Sequence, residues 1–301
     1  MSRMYMFTRY GGPETEELQE RPVPEPGPGQ LLVEVRAAGV NPSDLKLREG
    51  LFGRRHTLPR TLGFEVSGVV AAVGPDVEGY AVGDAVLGPV APGGGGFADH
   101  ALVRAREAAR KPDGVSFEAA ATIPVAGTAA YDLVHQTGLE DGQTVLVLGA
   151  GGGVGHLACE IARAGGARVI GVASEGKREL VESTGAAWVT SGDGAADAVR
   201  GLAPGGVDLL VDLVGGQPLR DLAPLVTSPD RIVSAADEET ATALGGSGRV
   251  EDPEALARLV AMVGDGAITP QVSAVYPLER AGEALAAVAR GHGKGKTVVV
   301  P

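Results

Sequence analysis

One stretch constrains this 301-residue chain more than any other. Four apolar residues, Val145-Leu146-Val147-Leu148, run into Gly149-Ala150-Gly151-Gly152-Gly153-Val154-Gly155 and then into His156-Leu157-Ala158. The order predicts a buried strand, a glycine-rich turn and a helix. Glycine permits positive φ and lets backbone N–H groups approach an anion closely. The helix start adds a partial positive charge, worth roughly 0.3–1 kcal/mol where exposed. A side chain at Gly152 would stand where a phosphate must sit, and Gly155 is expected to let the helix pack closely on the sheet. Residues 149–155 therefore read as a cradle for a dinucleotide pyrophosphate. The alternative is a tight structural turn.

The surrounding sequence has the matching rhythm. Ser116 is placed to cap an Ala-rich helix. Beyond it, strands are predicted at 144–148, 167–173, 188–190, 207–213 and 231–234, with helices at 155–163, 177–183 and 193–202. Such alternation implies a doubly wound parallel sheet. The first third differs. Residues 30–37 alternate inward and outward, and 64–73 and 85–87 follow as strands. Gly74-Pro75, Gly83-Asp84 and residues 92–96 punctuate them. Short, closely spaced strands predict a barrel-like antiparallel module. The tail adds a helix at 278–290 and a strand at 297–300. This length is comfortable for two cores.

Bulk properties narrow the function classes. The net charge of -12 sets the surface against phosphate backbones, so no nucleic-acid partner is expected. An anionic cofactor would need a local positive or dipolar pocket set against that field. The single cysteine, Cys159, cannot form an intrachain disulfide or a cysteine-based metal site and reads as a core residue. Residues 1–20 are mixed and polar without a signal-like apolar run, and no membrane span is expected. Cytoplasm is the expected compartment.

The end of the second strand bears on the cofactor. A carboxylate usually stands there to accept from ribose hydroxyls. Here the place is held by Ala173-Ser174, with Lys177 and Arg178 just beyond. Small, hydroxyl and cationic residues suit the 2′-phosphate of NADPH. Glu175, one position on, keeps NADH open.

A β-rich module, a Rossmann-type unit and a short return segment together resemble the medium-chain dehydrogenase/reductase superfamily. Four segments resemble its zinc-free quinone oxidoreductase branch, which includes zeta-crystallin. They are Ala37-Ala38-Gly39-Val40-Asn41-Pro42-Ser43-Asp44, Gly63-Phe64-Glu65-Val66-Ser67-Gly68, Ala120-Ala121-Thr122-Ile123-Pro124-Val125-Ala126-Gly127-Thr128-Ala129-Ala130-Tyr131 and Gly291-His292-Gly293-Lys294-Gly295-Lys296-Thr297. The resemblance covers essentially the whole chain. It implies an α/β protein with a GroES-like β-barrel catalytic domain at 1–117 and 268–301. A Rossmann NADPH-binding domain, with a doubly wound parallel sheet, would occupy 118–267. It also implies a homodimer.

The resemblance assigns roles to residues. Asn41 would contact the nicotinamide and ribose, or else be a turn residue before Pro42. Lys46 stands where many relatives carry Tyr and enoyl-reductase relatives often carry Lys. It would hydrogen-bond a substrate carbonyl or deliver a proton, with Asp44 orienting it. Thr128 would touch the nicotinamide side, although the matched position is Ala129. Relatives often place a Tyr after the equivalent of Trp188, where Ser191-Gly192 stand here. Gly295 and Lys296 would help close the cleft near the cofactor. Loops at 52–61, 90–97 and 244–250 would build the substrate pocket.

Zinc-using relatives place His where Phe64 stands, and their cysteine ligand would fall near residues 41–43, where there is none. His56, His100, His135, His156 and His292 show no metal-ligand spacing. No metal site is expected. Without a Lewis acid, alcohol oxidation lacks its polarising group. Hydride addition to a quinone or an activated C=C needs only positioning and a hydrogen-bond donor. The expected activity is therefore NADPH-dependent reduction of a small quinone, enone or enoyl thioester. The alternative is a cofactor-binding structural or RNA-associated protein without turnover.

Overall fold

The computed structural model describes residues 1–291 and 293–301. His292, part of the expected C-terminal signature and one of the five histidines, lies outside the described residues. The chain divides into two compact units, 1–125 with 272–301, and 126–271. The divisions expected from sequence, at 117/118 and 267/268, fall several residues earlier. The cause at the first is Phe117–Ala120, a short helix capped by the Ser116 hydroxyl on Ala119 N–H. It packs on the strands of the first unit, where the Ser67 hydroxyl donates to the Phe117 carbonyl at 2.5 Å.

In the first unit, Gln30–Val40 is the organising strand. It pairs antiparallel with Glu65–Val73, His100–Arg104 and Lys296–Val300. Ala85–Pro89 and Ala109–Arg110 continue the sheet beyond Glu65–Val73, and Val272–Pro277 lies parallel to Lys296–Val300 at the other edge. Register shifts after Leu32 and Val35 let one strand serve neighbours on more than one side. The inward residues form a core of Leu31, Val33, Val35, Val66, Phe97 and Val299.

Several strands have no counterpart in the sequence analysis, Ser2–Phe7 and Glu16–Arg21 among them. Ser2–Phe7 pairs with Glu16–Arg21 and with Arg60–Thr61. The polar alternation of Glu16–Arg21 reflects its mostly exposed position and carries no apolar signal. The helix Pro42–Glu49 also has no counterpart there, where Asn41-Pro42 suggests a turn, although Pro at the first position is an ordinary helix start.

The second unit carries a six-stranded parallel sheet in the order Ala187–Thr190, Arg168–Ala173, Thr144–Leu148, Leu209–Asp212, Ile232–Ser234 and Ser247–Gly248. Chain order reverses at Thr144–Leu148, and ligand crevices of such sheets lie beyond the carboxyl ends of the strands at that switch point. The glycine-rich turn 149–154 sits there and leads into the helix Gly155–Ala164. Every residue of Thr144–Leu148 is buried, which is why its signal is a continuous apolar run. The helix expected from 193 begins at Ala195, because Gly192 and Gly194 hold φ of 108° and 86°. Among the described residues no helix is long and apolar enough to cross a membrane.

The close packing expected at Gly155 is found elsewhere. A Cβ on Gly155 would overlap the Gly149 carbonyl oxygen and the Ala150 Cα, so this glycine serves the turn itself. The tight approach to the sheet is at Gly171, where a Cβ would lie 2.6 Å from Val181 and 2.9 Å from Ala150. Replacing Gly171 by Val is expected to destabilise the protein by about 1–3 kcal/mol, read in urea unfolding, because the crowded neighbours must shift.

Candidate functional site

The glycine-rich turn is shaped by three of its own amides. Gly149 N–H and Ala150 N–H both donate to the Val172 carbonyl at 3.0 and 3.1 Å, and Gly152 N–H donates to Gly149 O at 3.1 Å. Gly149 holds φ of 92°, a conformation that costs an L side chain strain. Ala150 is fully buried against Gly171 and packs the turn. The amides of Gly151, Gly153 and Val154 make no hydrogen bond among the described residues. Gly151 is buried, and buried N–H groups are nearly always paired. Three donors without a partner among the described residues, at the start of a ten-residue helix, fit an anionic phosphate. Among the described residues, a Cβ on Gly152 would meet only the Gly149 oxygen at 3.4 Å, so these residues make little demand for glycine there.

The residues expected at the second strand end divide. Ser174 is exposed just beyond Arg168–Ala173, and its carbonyl accepts from Lys177 N–H at 2.9 Å. That turn folds the Lys177 stem over the glycine-rich loop: a Cβ on Gly151 would lie 2.5 Å from Lys177 Cβ and 2.6 Å from its Cδ. Lys177 is half-buried, and burial lowers the pKa of its ammonium. Arg178 departs from expectation. It is exposed, pairs with Glu182 at 2.9 Å and lies over the Trp188 ring at 4.9 Å. The guanidinium thus packs on Trp188, two residues short of Ser191-Gly192.

In the first unit, the expected nicotinamide and cleft contacts form a buried knot. Lys296 Nζ donates to Asn41 Oδ1 at 2.7 Å, Glu65 Oε1 at 2.9 Å and the Val40 carbonyl at 3.2 Å. Asn41 Nδ2 donates to Glu65 Oε1 at 2.8 Å, and Glu65 Oε2 accepts from Val125 N–H at 2.7 Å. An ammonium has three donors, and all three of Lys296 are engaged. The side chains of Asn41 and Lys296 thus bond to each other and to Glu65 within the first unit. The strand register brings them together, since Val40 faces Thr297 and Gly39 faces Glu65.

Asp44 is also corrected. One carboxyl oxygen accepts from Asn41 N–H and the other from Gly63 N–H, each at 2.8 Å. It caps the helix Pro42–Glu49 and holds the turn before Glu65, and it does not orient Lys46, which is exposed on that helix. Burial pushes the Asp44 carboxyl up to about 7, against the two backbone donors and the Lys296 charge.

Thr128 opens the helix Thr128–His135 and its hydroxyl accepts from Arg249 Nη2 at 3.2 Å. Arg249 is anchored by the buried Asp132, Nε to Oδ2 at 2.7 Å. Burial raises the Asp132 carboxyl above the ordinary range. One turn on, Gln136 donates to the Gly248 carbonyl at 2.9 Å and accepts from Val250 N–H at 3.0 Å. The segment from residue 247, expected as part of a variable loop, is therefore pinned by two residues of one helix face. Likewise 95–97 of the second expected loop is packed, with Phe97 in the core.

Three groups at these centres were not singled out from sequence. Asp212 is buried at a strand end, accepting from Val214 and Gly215 N–H and from the Ser234 hydroxyl. Asp132 and Arg249 meet across more than a hundred residues, so no local spacing marks them. His156 is fully buried and bonded at both ring nitrogens. Its position four residues after Gly152 was the one available clue.

Residues 27–113 match the alcohol dehydrogenase GroES-like domain, and residues 179–299 match a model described as zinc-binding dehydrogenase. The chain is 31% identical to the quinone oxidoreductase of Sus scrofa over 100% of its length and 98% of that protein. Among solved structures, it is similar to an NAD-dependent alcohol dehydrogenase, at TM-score 0.91 and 31% identity, covering 99% of each chain. It is also similar to a mycobacterial protein complexed with NADPH, at TM-score 0.88 and 28% identity, covering 100% of both.

Replacing Lys296 by Met leaves the Glu65 charge buried and unpaired, and is expected to cost about 3–5 kcal/mol in chemical denaturation. Adding Glu65→Gln should restore much of that loss. Asp44 supplies a pH signature. Its folded value lies above the ordinary 3.8, so the folded state holds this proton more tightly. The Asp44 contribution to stability is present below about pH 4 and lost as pH rises toward 7. The difference in Tm between the native protein and Asp44→Asn should follow that window.

Proposed function

Since the chain belongs to the zeta-crystallin-like quinone oxidoreductase branch of the medium-chain dehydrogenase/reductase superfamily, we propose that it is an NADPH-dependent, zinc-independent reductase of quinones or activated C=C bonds. The observation that carries this reading is the loop 149–155, with three amides that make no hydrogen bond among the described residues and the Lys177 stem laid across Gly151. Bound there, the nicotinamide cofactor supplies the hydride. The chain's part is to bind and orient. The amides of Gly151, Gly153 and Val154 would hold the pyrophosphate, and Lys177 with the Ser174 hydroxyl would meet the 2′-phosphate. NADPH bound by the mycobacterial relative supports this preference, whereas the NAD-dependent relative and Glu175 favour NADH.

The donor chemistry of the first unit does not suit zinc. Phe64 has no ligating atom, and residues 41–43 include no cysteine. Both oxygens of Glu65 are engaged, one by Lys296 and Asn41 and the other by Val125 N–H. No step is therefore routed through a metal, although one matching family model is described as zinc-binding. A quinone, enone or enoyl thioester accepts the developing charge on its own carbonyl oxygen, and a hydrogen-bond donor suffices to stabilise it. Lys46, exposed on the helix after Asn41, is the proposed donor.

NADPH oxidation measured across quinones, enones and enoyl thioesters tests the reading. Turnover of at least one class is expected, and saturable NADPH binding without turnover of any would favour a non-enzymatic role. Wild-type kcat/KM should be higher with NADPH than with NADH. Lys177→Ala should lower that ratio by about tenfold, the value of one phosphate contact near 1.4 kcal/mol.

A further inference from the structure

We propose that His156 is a positioning residue for the dinucleotide, a neutral imidazole that fixes the Gly152–Gly153 peptide so that the Gly153 N–H faces the pyrophosphate. The proposal rests on the reading of residues 149–155 as a dinucleotide cradle.

The tautomer follows from the partners. His156 Nδ1 lies 2.9 Å from the Gly152 carbonyl oxygen, which can only accept, so Nδ1 carries the proton. Gln271 N–H donates to Nε2 at 3.1 Å, so Nε2 presents its lone pair. One neutral form satisfies both bonds. A protonated ring would set two N–H groups against each other at Nε2, and the opposite tautomer would fail at both positions.

The effect on the loop follows from peptide geometry. Gly152 O accepts twice from one residue, from His156 N–H at 3.2 Å and from the ring. The backbone bond is the weak first rung of the helix, and the ring bond reinforces it. In a trans peptide the carbonyl and the next N–H point in opposite directions. Holding Gly152 O back into the helix therefore turns Gly153 N–H outward, off the helix N-terminus, where no acceptor stands among the described residues. Two adjacent glycines would otherwise leave this peptide free to rotate. His156 is fully buried, so its ring acts through this carbonyl and not by touching a ligand.

Two substitutions separate the ring's two bonds. In His156→Asn the amide nitrogen falls near the place of Nδ1 and can still donate to Gly152 O. In His156→Gln the side-chain oxygen reaches toward the place of Nε2 and can accept from Gln271, while the donation to Gly152 is lost. NADPH affinity is read by nicotinamide fluorescence titration, and folding by thermal melting. The wild type and His156→Asn should bind within about threefold of each other, and His156→Gln should bind about tenfold more weakly, as for one misaimed charge-assisted hydrogen bond. Equal weakening of both variants, or wild-type affinity in His156→Gln, would overturn the proposal.

A second measurement needs no variant. The ¹⁵N shifts of ring-labelled His156 should report a neutral ring protonated at Nδ1 at neutral pH. An Nε2–H or doubly protonated ring would sink the idea. If the wild type binds neither NADPH nor NADH, the cradle reading fails first and takes this inference with it. If the wild type binds and the variants do not differ, only the role of His156 fails.

Discussion

The Lys296–Glu65 pair is the constraint on which the first unit depends. It ties the C-terminal strand Lys296–Val300 to Gln30–Val40 and Glu65–Val73, at a point where all side chains are buried. Charges so far from water persist only when their remaining hydrogen-bonding capacity is met. Here three donors meet three acceptors, and the second oxygen of Glu65 takes the Val125 amide. The fit also sets Gly39, where a Cβ would lie 2.6 Å from Glu65 Cδ and 2.7 Å from the Ala121 carbonyl. Asn41, Glu65, Lys296 and Gly39 are thus one packing solution, drawn from three strands and the residue that caps the next helix.

That solution has a chemical consequence. A carboxylate held by an ammonium, an amide and a backbone N–H has little left to offer a metal. The proposed chemistry then falls to a bound nicotinamide cofactor. In the other unit the proposed anion site would be made from local donors, against an overall charge of -12. Three amides of the turn fix its shape, and three others have no partner among the described residues. The helix N-terminus and the half-buried Lys177 add positive potential where the global field is negative.

The legible parts of the sequence were those with local causes. Thr144–Leu148 and the turn after it were readable because a fully buried strand and a positive-φ glycine leave marks within a dozen residues. The strands Gln30–Val40 and Glu65–Val73 were readable from their apolar pattern. The strand Glu16–Arg21 was not, since its exposure erases that pattern. Long-range pairing was the part least legible in the sequence. Nothing near Asn41 or Lys296 in sequence says that they bond each other across 255 positions. The Asn-Pro-x-Asp spacing at 41–44 is a local capping signal, and it accounts for Asp44 better than a partnership with Lys46 does. Arg249 and Asp132 are hidden for the same reason as Lys296.

The central claim is hydride chemistry from a bound cofactor without metal assistance. It is tested most directly by measuring NADPH oxidation with a quinone or enone acceptor before and after exhaustive chelation, with metal content determined on the same samples. Unchanged kcat/KM at substoichiometric metal is the predicted result. Loss of activity on chelation, restored by added Zn²⁺, would contradict it.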